Sequence, residues 1–155
     1  MGFFSKLFQW DDKAPVASKL PASELGLDAK TAASVLREID IDTAIAAHEN
    51  WKVRLHSQIA GNSTEQLDPA LICMDDRCEL GKWLHGPGQR SLGKYPAFSV
   101  LVARHRYFHV QASTVAAHVQ AGDMASAEKA LNGPFKHGSN QVVLLLKELK
   151  RGLGG

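Results

Sequence analysis

Four residues in this chain have side chains suited to holding a soft metal ion, and their spacing is unusual. Cys78 lies in the stretch "CELGKWLHG", beside a tight Leu-Gly-x-Trp turn. His105 and His109 follow in "HRYFH", at i and i+4, so on a helix both rings project from one face and reach a common ion. His48 precedes them in "HENW". An imidazole on the apolar face of a helix has two nitrogens to satisfy, and an unpaired buried polar group costs about 1–3 kcal/mol. These histidines are therefore either hydrogen-bonded core residues or ligands. With a thiolate from Cys78 they make a His3Cys set, and zinc suits that mixture of nitrogen and sulfur in a tetrahedral site. Spacing alone leaves both readings open, since Cys78 also reads as a small buried hydrophobe.

The elements that must position these residues are helical. From Ile41 an apolar face runs through Ala44, Ile45, His48, Trp51, Leu55 and Ile59, which is helical spacing. Gly61-Asn62 suits a left-handed C-terminal cap. Residues 62 to 95 are punctuated by Asp68-Pro69, Gly81, "HGPG" and Gly93, with room for one or two short helices, one of them around Cys78. A second long helix is expected from Pro96, where Phe98, His105, Ala112 and Val119 recur every seven residues, as do Leu101, Phe108 and Val115. Asp123 reads as an N-cap, and helical sequence resumes at Met124, breaks at "NGPF" and closes through Val142, Leu145, Leu146 and Leu149. No strand-like alternation competes. The expected fold is all-α: a four-helix bundle with a short extra helix carrying the Cys motif.

Composition narrows the function classes. The chain has 155 residues and a formal charge of +2, with basic residues scattered, which argues against nucleic acid as a partner. Two cysteines do not make a disulfide framework, and a reducing, cytoplasmic location is expected. No apolar run approaches the roughly 20 residues of a membrane span. Residues 1–34 read as an N-terminal tail and linker, and 35–151 as the helical domain. In the tail Phe3, Phe4, Leu7 and Phe8 would share one face of a short helix, which either packs on the protein's own bundle, stays disordered, or docks on a partner such as a signalling protein.

"HENW", "CELGKW" and "HRYFH" together resemble the chemoreceptor zinc-binding domain family, CZB. Residues 52 to 77 separate the first two motifs and residues 84 to 104 the last two, both within the family's range. The resemblance spans roughly residues 35 to 151. It implies a helical bundle that binds one Zn2+ through His48, Cys78, His105 and His109. It also implies homodimers and zinc- or oxidant-dependent signalling in bacteria, with hypochlorous acid as one oxidant. Four protein ligands leave no open position for an activated water, so no enzyme is expected. Two functions follow: a regulatory, redox-sensing zinc protein of signal transduction or chemotaxis, or a zinc-stapled structural adaptor. Cys73, His56, His118 and His137 are assigned no ligand role. His85 is read as an exposed neighbour of the motif, and Trp51 and Trp83 as residues that keep water from the site.

Overall fold

The structure is a computed structural model, and it describes residues 27–154. The tail reading, with its docking face at Phe3 to Phe8, lies outside the described residues. Among those described, the chain is all-α and contains no strand. Among the described residues no helix is long and apolar enough to cross a membrane.

Three helical runs make the core. Helix α1 (Ala29–Glu38) comes first, followed by α2 (Ile41–Ile59). Three short helices, α3 (Pro69–Ile72), α4 (Glu79–Leu84) and α5 (Pro87–Leu92), lead to the long α6 (Pro96–Gln120). Helix α7 (Met124–Ala130) then passes through a π turn (Leu131–Phe135) into α8 (Lys136–Gly152). Helices α2, α6 and α8 pack against one another, and α7 folds back on α6. Positions 34 and 35 both fall inside α1.

Local chemistry sets the boundaries. Asp28, Asp40, Asp68 and Asp123 each cap a helix by accepting a backbone N–H, from Thr31, Thr43, Ala70 and Ser126. Such a cap contributes about 1 kcal/mol and fixes where the chain turns. Gly61 and Gly122 take φ of 74° after α2 and α6, a conformation that disfavours a Cβ. The expected break at "NGPF" is a widened turn rather than a loop. Pro134 has no N–H to give, and the π register absorbs the missing bond without ending the helix. Phe135 from this turn is fully buried and lies 5.3 Å from Phe108 of α6, ring centre to ring centre. The region expected to hold one or two short helices holds three.

The seven-residue repeat on α6 is buried up to its last member, Val119, which is half-buried near the helix end. Phe98, Leu101, Phe108, Ala112 and Val115 are at most 4% exposed, and His105 and His109 sit in the same stripe at 0% and 3%. On α2, His48 is 2% exposed beside Ala44, Ile45 and Leu55. Three imidazoles are thus inside the bundle.

Candidate metal centre

The four residues singled out by their spacing meet at one point. The nitrogen or sulfur donors of His48, Cys78, His105 and His109 all lie within 4.8 Å of one another. Helix α2 supplies His48, α6 supplies His105 and His109, and Cys78 is the N-cap of α4. The closest approaches are 3.1 Å between the two Nε2 atoms of His105 and His109, 3.2 Å from Cys78 Sγ to His105 Nε2, and 3.6 Å from Sγ to His109 Nε2. A tetrahedral zinc with ordinary bond lengths has ligand–ligand edges of about 3.3–3.6 Å. The donor set and its spacing fit that ion.

Hydrogen bonds on the far side of two rings decide which nitrogens face inward. His48 donates from Nδ1 to the Ala44 carbonyl at 2.7 Å, and His109 donates from Nδ1 to the Ile72 carbonyl at 2.8 Å. A carbonyl only accepts, so both Nδ1 atoms carry the proton, and both Nε2 atoms present lone pairs to the centre. His48 Nε2 has no hydrogen-bond partner although it is buried. An unmatched lone pair in a dry core is costly, and a cation beside it would remove that cost.

The electrostatics agree. Burial pushes His48 down to about 4. His105 falls to about 2, through burial and then through His109 and His48 beside it. Burial also lowers His109, against the Ile72 carbonyl. The rings are therefore neutral at neutral pH, the state a metal requires. Burial pushes the Cys78 thiol up, outweighing the Gly81 and Leu80 N–H groups that favour the thiolate. Cys78 thus keeps its proton until a metal takes its place. Zinc uptake at pH 7 should release close to one proton per ion, measured calorimetrically in buffers of different ionisation enthalpy. Between the ordinary imidazole value, below which all three rings are pushed, and the raised thiol value, affinity should fall about tenfold for each pH unit downward, because there the proton competes for sulfur alone.

The Cys motif itself has a steric logic. Gly81 donates its N–H to Cys78 Sγ at 3.3 Å, while the Asp75 carbonyl crosses directly above it. A Cβ on Gly81 would sit 1.7 Å from that oxygen. Leu80, Trp83 and Leu84 anchor α4 in the core at 4% exposure or less. Gly88 lies flat under the Trp83 indole, with space for a Cβ only 2.8 Å from the ring, which explains the second glycine of "HGPG".

Two carboxylates complete the surroundings, and neither was singled out from the sequence. Glu38, at the end of α1, accepts from Trp83 Nε1 at 3.0 Å and from the Ser34 and Ser91 hydroxyls at 2.8 and 2.9 Å. Burial alone would raise its pKa, but those three donors outweigh it and hold it below the usual carboxylate range. It ties α1 and α5 to the Cys-motif helix. Asp75 accepts from His85 Nε2 at 2.8 Å and places the same oxygen 3.8 Å from His105 Nδ1. His85, exposed as expected, is also a fastener for the loop. Asp75 stands beyond hydrogen-bond distance of the His105 ring but sets a negative charge beside it. Asp75→Asn should therefore weaken zinc binding, by less than the roughly 10- to 100-fold usual on losing a hydrogen-bonded outer partner, as read by chelator competition. Nothing in "MDDRC" distinguishes Asp75 from Asp76; only the path of the loop does.

The remaining candidates stay out of the cluster. Cys73 is exposed and bonds the Ala70 carbonyl, His56 and His137 are exposed, and His118 is half-buried. Trp83 shields the site on one side. Trp51 is half-buried and carries the Arg54 guanidinium 3.9 Å above its ring.

Residues 48–116 match the family described as the chemoreceptor zinc-binding domain, a stretch that contains all four donors. Over this stretch the chain is similar to a CZB domain. No curated protein and no solved structure matches the chain. CZB is a zinc-binding domain, and the His3Cys cluster is of the kind that zinc takes.

Proposed function

We propose that this CZB protein is a cytoplasmic regulatory module of bacterial signalling, and that His48, Cys78, His105 and His109 together bind one Zn2+. The observation that carries the reading is the convergence of four donors from three separate segments of chain, with the lone pair of His48 Nε2 left unmatched. Because all four positions are filled by side chains, the site offers no place for substrate or activated water, and we read the protein as a binding module rather than an enzyme.

Regulation enters through Cys78. Its sulfur is the only one of the four donors on a residue that is not buried. The Cys78 thiolate can take the oxygen of hypochlorous acid, chloride leaving, to become a sulfenic acid. A sulfenic acid is a poor ligand, so Cys78 lets go. Helix α4 begins at that residue, and the loop from Ile72 to Cys78 is pinned to His109 and His105 around the same point. Loss of the sulfur bond thereby frees a segment that joins α3 to α5. A partner, or a second copy of this chain in a homodimer, would read the shift. The competing reading, a zinc staple in an adaptor with no sensing role, draws on the same pinning.

The two readings separate experimentally. Hydrogen exchange and light scattering are measured on the zinc-loaded protein before and after one equivalent of hypochlorous acid. A sensor loses protection locally, over residues 72–85, or changes oligomeric state while α2, α6 and α8 stay protected. Global loss of protection in all helices together leaves only a staple.

A further inference from the structure

A cleft of about 320 Å3 opens beside the metal centre, and its floor is formed by His48 and Cys78. One wall is the exposed face of α2 at Thr43 and Ala47, and the other is Leu80 and Trp83 of α4. Glu38, Asp40 and Glu79 also line it, with Glu79 paired to Lys82 at 3.0 Å, Glu38 held by Trp83, Ser34 and Ser91, and Asp40 capping α2. The two donors on α6 are covered. His105 and His109 lie at 0% and 3% exposure, with the Ile72 carbonyl and the Asp75 carboxylate drawn against them. Phe108 covers His48 edge-on at 5.0 Å.

We infer that this cleft between α2 and α4 is the passage through which the site exchanges a divalent metal ion with solvent. This rests on the reading of the four residues as zinc ligands. Two observations point the same way independently of the acids in the lining. His48, 2% exposed, lines the cleft and has a buried Nε2 without a partner. Cys78, half-buried, lines it too. A cation arriving through the cleft therefore meets the residues of two donors before the inner pair on α6. The lining has acidic side chains and no lysine or arginine, and such a surface favours the approach of a cation. Leaving follows the same order in reverse: release from Cys78 and His48 puts the ion in the cleft.

The passage can be narrowed without touching a ligand. Ala47 is exposed on α2, and Ala47→Phe fills the cleft, whereas Ala46→Phe places the same ring on an exposed neighbouring position of that helix. Zinc capture is followed by stopped flow and zinc release by transfer to excess chelator. In Ala47→Phe both rates should fall on the order of tenfold, with their ratio, and so the affinity, little changed; a passage affects both directions equally. Ala46→Phe should match the parent protein. Thr43→Leu, on the same wall, should slow both rates to a smaller extent and serves if Ala47→Phe does not fold. Unchanged rates in a folded, zinc-binding Ala47→Phe or Thr43→Leu protein overturn the passage while leaving the zinc site intact. A parent protein that takes up no zinc overturns both, and the two failures are told apart by its metal content.

Discussion

Cys78→Ala should cost the protein about 10²- to 10³-fold in zinc affinity, because four ligands share a binding free energy of about 10–16 kcal/mol and each decade is 1.4 kcal/mol. The loss is not offset by a neighbour. Cys73, the other thiol, is exposed and engaged with the Ala70 carbonyl, and it is absent from the cluster of donors. Cys73→Ala should therefore leave affinity within about twofold, a surface change with no ligand removed. His105→Ala and His109→Ala should fall with Cys78→Ala, and His118→Ala with Cys73→Ala. The measurement is competition against a chromogenic chelator of known affinity, with stoichiometry from elemental analysis. Equal losses from Cys78→Ala and Cys73→Ala would assign the site to the wrong sulfur.

Gly81→Ala should be nearly as damaging, although it removes no ligand. The added methyl would stand 1.7 Å from the Asp75 carbonyl oxygen and 2.8 Å from its carbon, far inside contact distance. Both neighbours are backbone, so nothing can rotate away; the loop from Asp75 to Cys78 has to lift. That loop carries the sulfur, and it carries the carboxylate that faces His105. Overpacking of this kind costs about 1–3 kcal/mol of stability. Zinc affinity should drop at least tenfold as well, because the donors are displaced by more than the few tenths of an ångström a zinc site tolerates. Gly133→Ala provides the contrast. Gly133 has nothing within 4 Å of its Cβ position and lies in helical backbone. Alanine there gains from reduced chain entropy but meets the Pro134 ring that follows it, so stability should change by less than about 1 kcal/mol and zinc affinity should stay unchanged. Thermal unfolding and chelator competition on the two variants distinguish a specific clash from a general intolerance of glycine replacement.

Much of this protein is decided by sequence because its chemistry follows the helical period. The i, i+4 pair His105–His109 could be placed on one face from spacing alone, and the repeat through Phe98, Ala112 and Val115 said which face was buried. Asp123 and Gly61 marked ends, since capping depends on residues adjacent in the chain. The Cys-x-Leu-Gly-x-Trp motif picked out the thiol that lies in the donor cluster. Pro134, by contrast, read as a break, because propensity counts the missing N–H and cannot see that burial of Leu131 and Phe135 holds a widened turn in place. Other features depend on residues far apart in the chain. That the lone pairs of His48 and His109 point inward is set by the Ala44 and Ile72 carbonyls, the second of them 37 residues away. That Asp75 rather than Asp76 faces His105, and that Glu38 gathers Trp83, Ser34 and Ser91, depends on how a loop and a helix end come to rest against the bundle. The cleft beside Cys78 belongs to the same class. Which residues could act as donors follows from residue type and period, and the sequence determined it; ring orientation, outer carboxylates and the cleft beside the sulfur are properties of packing between distant segments, and only the tertiary structure decided them.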